Sequence, residues 1–308
     1  MLLYFFISVF VVGLLLIGFF PKKSARGFYR FATKTEARFY GLKIYQVKLS
    51  ELSLSIYRTP IKDRPTIVML HGFSAEKNIW SRFARYFTSD FNVIIPDLAG
   101  HGATEFSKNL SYSVSAQIKR VNELLDQLGI EQCHIIGNSM GGFFSAHFAL
   151  AYPERTLSAC LVNPAGVKSP IYSNMDNMVK AGKNPFLVNN RQEFNNFYKM
   201  TMAKPPWLPS FVYGVLSDEY QRQQKQLTQM FLDFYNQDQL DNELINIKPS
   251  VLILWGREDE LIHVSSVEVW MHGLNNVQTK IWDGIGHMPM FEIPKESAEV
   301  YKAFLEKL

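Results

Sequence analysis

The sharpest chemical signal in the chain is Gly137-Asn138-Ser139-Met140-Gly141-Gly142. An apolar run, Cys133–Ile136, leads into it, and a helical pattern from Phe143 to Tyr152 follows. A serine flanked by small residues on a tight strand-to-helix turn is lifted clear of the sheet, and a Cβ at the glycine positions would collide with neighbouring backbone. The helix N-terminus then aims N–H groups at developing negative charge. This pattern predicts Ser139 as a nucleophile. A serine alone is weak and needs a base that is itself oriented. Of the seven histidines, His287 lies in Asp283-Gly-Ile-Gly-His287-Met-Pro, a glycine-rich loop after the last apolar run, where a base reaches over a sheet edge. His134 falls within a strand and His147 on the helix after Ser139, so both read as packing or surface residues. His101 reads as structural in its loop, His263 and His272 flank a helix, and His71 opens a loop with a different use.

The third member of such a triad is a carboxylate between serine and histidine in chain order. The run Val251–Trp255 ends in Gly256-Arg257-Glu258-Asp259-Glu260. Asp259 stands four residues past the strand and is the expected acid, with Asp283 and Glu260 as the other candidates and Glu258 solvated. Two backbone donors must receive the oxyanion. The N–H of Met140 follows the nucleophile directly, and that of Phe73 comes from the loop His71-Gly72-Phe73-Ser74 after the run Thr66–Leu70. The Phe73 side chain is then free to line an acyl pocket. Together these residues predict acyl transfer from an ester through an acyl-enzyme. No cysteine and histidine spacing suits zinc. Cys133 and Cys160 lie in apolar runs and suit small buried hydrophobes.

The elements that must hold these groups are legible as alternating runs. Short β-branched runs at Thr66–Leu70, Asn92–Pro96, Cys133–Ile136, Leu157–Val162, Val251–Trp255 and Thr279–Trp282 are separated by helical spacing such as Ile118, Val121, Leu124, Leu125 and Leu128. Continuous apolar strands between helices predict an α/β fold with a mostly parallel central sheet covered on both faces. Alternating runs near Phe39–Val47 and Leu52–Tyr57 predict an antiparallel pair ahead of it. The alternation stops between about 169 and 246, a stretch rich in Asn, Gln and Pro with helical patterns only. A helical insertion there would form a cap over the sheet's C-terminal edge, where ligands of open α/β sheets bind.

The 47% hydrophobic content excludes a disordered or fibrous chain and supplies a full core for 308 residues. Charge is unevenly spread. Residues 21–48 carry eight basic side chains against Glu36 alone, whereas the 260 residues after them hold 24 basic and 27 acidic ones. The body is mildly acidic, which argues against nucleic acid as a partner. Leu2–Phe20 is nineteen uncharged, almost wholly apolar residues, ~28 Å as a helix and thus about the thickness of a bilayer core. With Pro21-Lys22-Lys23 behind it, this predicts a retained transmembrane anchor rather than a cleaved signal peptide. The basic flank predicts a single-pass protein with its catalytic domain in the cytoplasm. The expected organisation is an anchor over 1–20, a basic juxtamembrane linker over 21–37, and a domain over 38–308 carrying the cap.

In this order, the motifs resemble the α/β-hydrolase superfamily, and within it the membrane-anchored monoacylglycerol lipases. The matching pieces are the N-terminal apolar segment, His71-Gly-Phe-Ser-Ala75 with Trp80, Asp97-Leu-Ala-Gly-His-Gly102, Gly137–Gly142, Pro164-Ala-Gly166, Trp255-Gly-Arg-Glu-Asp259 and Gly286-His287. The resemblance implies an α/β-hydrolase fold, a Ser139–Asp259–His287 triad and hydrolysis of monoacylglycerols or related lipid esters without a cofactor. Gly-Asn-Ser-Met-Gly-Gly and Trp255-Gly-Arg also resemble C–C bond hydrolases of aromatic ring-fission products. Many of those carry Trp after the catalytic histidine, where Met288 stands here.

Overall fold

The computed structural model describes residues 22–206 and 208–308. The segment Leu2–Phe20, read above as an anchor, lies outside the described residues. Among the described residues no helix is long and apolar enough to cross a membrane. The described residues begin with helix α1 (Lys22–Phe39), over the span read above as a basic juxtamembrane linker.

Eight strands form one sheet: β1 (Lys43–Lys48), β2 (Ser53–Arg58), β3 (Thr66–Leu70), β4 (Asn92–Pro96), β5 (Cys133–Asn138), β6 (Thr156–Val162), β7 (Ser250–Gly256) and β8 (Val277–Trp282). Their spatial order is β1-β2-β4-β3-β5-β6-β7-β8. β2 is antiparallel to both of its neighbours, and every pairing from β4 through β8 is parallel. The central strands β3, β4 and β5 are buried at every position. They read as unbroken apolar runs because helices cover both faces. Alternate residues face opposite sides, as the period of a strand requires. Val68, Leu70, Ile94, Ile135 and Ile253 join one core, while Ile67, Met69, Val93, Ile95 and Leu252 join the other.

The first core is closed by α3 (Val114–Gln127) and α4 (Met140–Ala151), the second by the short α2 (Ser81–Ala84) and the C-terminal helix, which supplies Tyr301 and Phe304. Between β6 and β7 the described residues form four α-helices and no strand: α5 (Asn174–Lys180), α6 (Arg191–Met200), α7 (Ser210–Arg222) and α8 (Gln224–Phe234). The first three start on side-chain or proline signals. Ser173 makes a reciprocal capping box with Asp176, Asn190 caps α6 through the Glu193 N–H, and Pro209 precedes α7. This cap leaves the sheet at its C-terminal edge and is pinned to the loops there. Tyr112 N–H donates to Asp233 at 2.8 Å, and Met175 N–H to the Glu260 carbonyl at 3.0 Å.

α1 spans from the cap to the opposite end of the sheet. Near its start, Phe28 packs edge-on against Phe211 of α7, and Arg30 pairs with Glu219 at 2.7 Å. Near its end, Glu36 pairs with Arg82 of α2, and Ala37 is fully buried. The helix therefore straps cap and core together, and Lys22 lies at the cap end.

Candidate active site

Ser139 sits between β5 and α4 with φ 57° and ψ −119°, a left-handed backbone conformation that a non-glycine residue holds only where its surroundings enforce it. The enforcement comes from close packing of backbone on backbone. A Cβ on Gly137 would lie 2.0 Å from the Gly141 carbonyl oxygen, and one on Gly141 would lie 2.3 Å from that of Leu70. The spacing of glycines around the serine thus follows from the turn's geometry. Ser139 N–H donates to the Val162 carbonyl at 2.9 Å, and its own carbonyl accepts from Phe143 N–H at 3.0 Å, starting the helix. Met140 is the first helical residue, so its N–H has no acceptor within the helix.

The loop after β3 lies against this turn, since a Cβ on Gly72 would be 3.2 Å from the Ser139 Cβ. His71 is buried and holds the loop. Its Nε2 accepts the Leu98 N–H at 3.0 Å, which leaves Nδ1 to donate to the Gly72 carbonyl at 2.8 Å. Burial lowers its pKa to about 4, so the ring is neutral and suited to that acceptor role. A second tie comes from Asp97 at the end of β4. Its carboxylate accepts the Lys77 N–H at 2.8 Å and the Ala103 N–H at 2.8 Å, and forms a buried ion pair with the Lys77 ammonium. Phe73, between these ties, turns its ring into an aromatic cluster under the cap. Its centroid is 5.2 Å from Phe186, 5.5 Å from Phe231 and 5.3 Å from Phe234.

His287 follows β8 on the loop Asp283–Met288 and is buried. Its Nδ1 lies 2.7 Å from Oδ2 of Asp259, whose side chain is fully buried. The other carboxylate oxygen accepts the N–H groups of Leu261 at 2.8 Å and Ile262 at 3.0 Å. The remaining acids of the loops face elsewhere. Asp283 pairs with Arg257 at the surface, with its side chain 81% exposed. Glu260 accepts from Asn174, and Glu258 from the Gly284 N–H. Asp259 is the acid that the structure brings to His287.

Other histidines take structural places. His101 is buried, with Nδ1 at 3.1 Å from the Ala99 carbonyl and its pKa lowered to about 3 by burial. His134 meets Ser158 across β5 and β6 at 2.8 Å. His147 reaches the Asp238 carbonyl at 2.8 Å.

Two asparagines that the sequence did not single out stand at adjacent strand ends. Asn138 Nδ2 donates to the Val162 carbonyl at 3.1 Å and to the His287 carbonyl at 2.9 Å. Asn163 Nδ2 donates to Asp259 Oδ2 at 2.6 Å. Their signal in the sequence is slight: a polar residue closing an otherwise apolar strand, on the edge that carries the loops.

The family model for the alpha/beta hydrolase fold matches residues 65–294. Lipase 1 of Psychrobacter immobilis is 31% identical over 242 residues, covering 77% of this chain and 76% of its own. Monoacylglycerol lipase abhd6-B of Xenopus laevis is 28% identical, over 80% of this chain and 77% of its own. Among solved structures, a bacterial membrane phospholipase A superposes with a TM-score of 0.88 at 30% identity, over 99% of this chain and 98% of its own. The chain therefore belongs to the α/β-hydrolase fold family, as an ester hydrolase similar to that family's lipases.

Proposed function

We propose that the protein is a membrane-held serine hydrolase of lipid esters, acting on monoacylglycerols to give a free fatty acid and glycerol. Ser139 is the nucleophile, His287 its base and Asp259 the group that orients the base. The observation that carries this reading is the buried contact of His287 Nδ1 with Asp259 Oδ2 at 2.7 Å. With Nδ1–H donating to the carboxylate, the Nε2 lone pair is left for the serine proton.

Ser139 Oγ adds to the ester carbonyl carbon as His287 Nε2 takes its proton. The N–H groups of Phe73 and Met140 receive the oxyanion. Collapse breaks the ester C–O bond, and the imidazolium returns the proton to the departing glycerol oxygen. Water then repeats the cycle on the acyl-enzyme and releases the fatty acid. The aromatic cluster of Phe73, Phe186, Phe231 and Phe234 offers an apolar lining for the acyl chain.

The membrane part of the proposal rests on the nineteen uncharged residues Leu2–Phe20 and on the course of α1. Because α1 starts beside α7 of the cap, a bilayer anchor joined to it would hold the cap end of the domain towards the lipid. The similarity to a membrane phospholipase A over 99% of the chain supports an association with membranes. The basic flank orients the domain to the cytoplasm. Protease added to inside-out vesicles should digest the domain, and protection would refute that orientation.

The chemistry is tested by comparing the wild type with Ser139→Ala on a long-chain monoacylglycerol and on an aryl ring-fission dienoate. Monoacylglycerol turnover that disappears in the variant is the expected result. Turnover of the dienoate alone would instead make the protein a C–C bond hydrolase, and activity retained in Ser139→Ala would overturn the triad.

A further inference from the structure

We infer that Asn163 is a positioning residue of the hydrolytic site: its amide, fixed at the end of β6, locks the Asp259 carboxylate in the orientation that presents Oδ2 to His287. The inference rests on the triad proposed above. Asn163 is fully buried and left-handed, with φ 44°. Asparagine is among the few side chains that tolerate that backbone. Its N–H donates to the Leu254 carbonyl at 2.9 Å, which ties it to β7. Its Oδ1 faces the Gly256 N–H at 3.3 Å, and its Nδ2 faces Asp259 Oδ2 at 2.6 Å.

The amide has only one chemically consistent orientation. A backbone N–H can only donate and a carboxylate can only accept, so the oxygen must face Gly256 and the nitrogen must face Asp259. Asp259 Oδ2 then takes one donor from His287 and one from Asn163, while Oδ1 takes those of Leu261 and Ile262. Four donors fill the roughly four acceptor sites of a carboxylate, so it cannot turn. The side chain at 163 must also be neutral. A carboxylate at that distance would repel Asp259 and set a second negative charge beside the Asp259–His287 pair. The other titratable groups near this junction are His287 itself, Glu258 on the Gly284 N–H and Glu260 on Asn174.

Asn163→Asp is nearly isosteric, keeps the acceptor for Gly256 and replaces the donor to Asp259 by a charge. Asn163→Ala removes the donor without adding charge. Steady-state kinetics on an ester substrate from about pH 5 to 9 would be measured for both, beside the wild type and Ser139→Ala. For Asn163→Asp, kcat should fall by about ten- to hundredfold with little change in KM. The acid limb of its kcat/KM profile should move up by about one pH unit or more. Asn163→Ala should lose kcat similarly without that displacement, and it decides the matter if the aspartate variant does not fold. Wild-type kcat and profile in both variants, with Ser139→Ala inactive, would overturn the positioning role and leave the triad standing. An active Ser139→Ala would overturn the triad itself.

Discussion

Asp97→Asn removes a negative charge from a place that water cannot reach. The side chains of Asp97 and Lys77 are 0% and 7% exposed. The carboxylate accepts three donors: the Lys77 ammonium, the Lys77 N–H and the Ala103 N–H. An amide has one acceptor atom, so in the variant its NH2 must face a donor, and the Lys77 ammonium loses its counter-charge. Breaking one side of a buried pair costs about 3–5 kcal/mol. At roughly 2–4 °C per kcal/mol for a domain of this size, the melting temperature should fall by roughly 6–20 °C. Activity should fall as well, because Lys77 and His71 bracket the loop that carries the Phe73 N–H. Loss of one oxyanion donor costs about 10²–10³ in kcat, and a loosened loop should forfeit about ten- to hundredfold of it. Thermal melts and kcat on a soluble chromogenic ester read the two effects separately. Lys77→Met leaves Asp97 its two backbone donors, so combining it with Asp97→Asn should restore part of the lost stability. An Asp97→Asn protein melting within about 2 °C of the wild type, with unchanged kcat, would refute the reasoning.

Two further outcomes follow from the same loop. Burial holds His71 at about 4 against an ordinary 6.5, so across that window the unfolded chain binds a proton that the folded protein does not. Stability from this residue falls as pH falls from 6.5 to 4, by up to about 3 kcal/mol. His71→Gln keeps an acceptor for Leu98 and a donor for Gly72, and should flatten the dependence of the urea midpoint on pH; equal slopes would count against it. Phe73→Ala leaves the backbone donor in place, so kcat on a short-chain ester should stay within about threefold, while KM for a long-chain ester rises about tenfold from lost apolar burial. An equal loss on both chain lengths would mean that the ring does not line the acyl site.

Most of the sheet was legible in the sequence. Buried parallel strands are short apolar runs bounded by glycine and proline, and β3 and β4 match their runs residue for residue. The serine turn was legible too: the contacts that require Gly137 are local to strand, turn and helix, whereas those that require Gly141 come from the Leu70 and His71 carbonyls at the neighbouring strand end. Boundaries drifted where local pattern is silent. α4 begins at Met140 rather than Phe143, since its second and third residues are glycines that no propensity assigns to a helix. Over 22–39 the sequence shows a basic stretch, and the contacts of helix α1 lie elsewhere in the chain. Phe28 packs on the cap and Glu36 pairs with α2, and neither partner is near α1 in the chain.

By itself, the sequence determined the chemistry available, the chain order of Ser139, Asp259 and His287, and the sheet that would carry them. Only the tertiary structure decided which of the neighbouring acids meets His287. Only it showed that Asn163 shares that carboxylate with the histidine, and that Asp97 and Lys77 tie down the loop that carries Phe73. Hydrophobic periodicity is written along the chain and can be read there. A hydrogen bond between residues 96 positions apart, as between Asn163 and Asp259, exists only once adjacent strands have set their ends side by side.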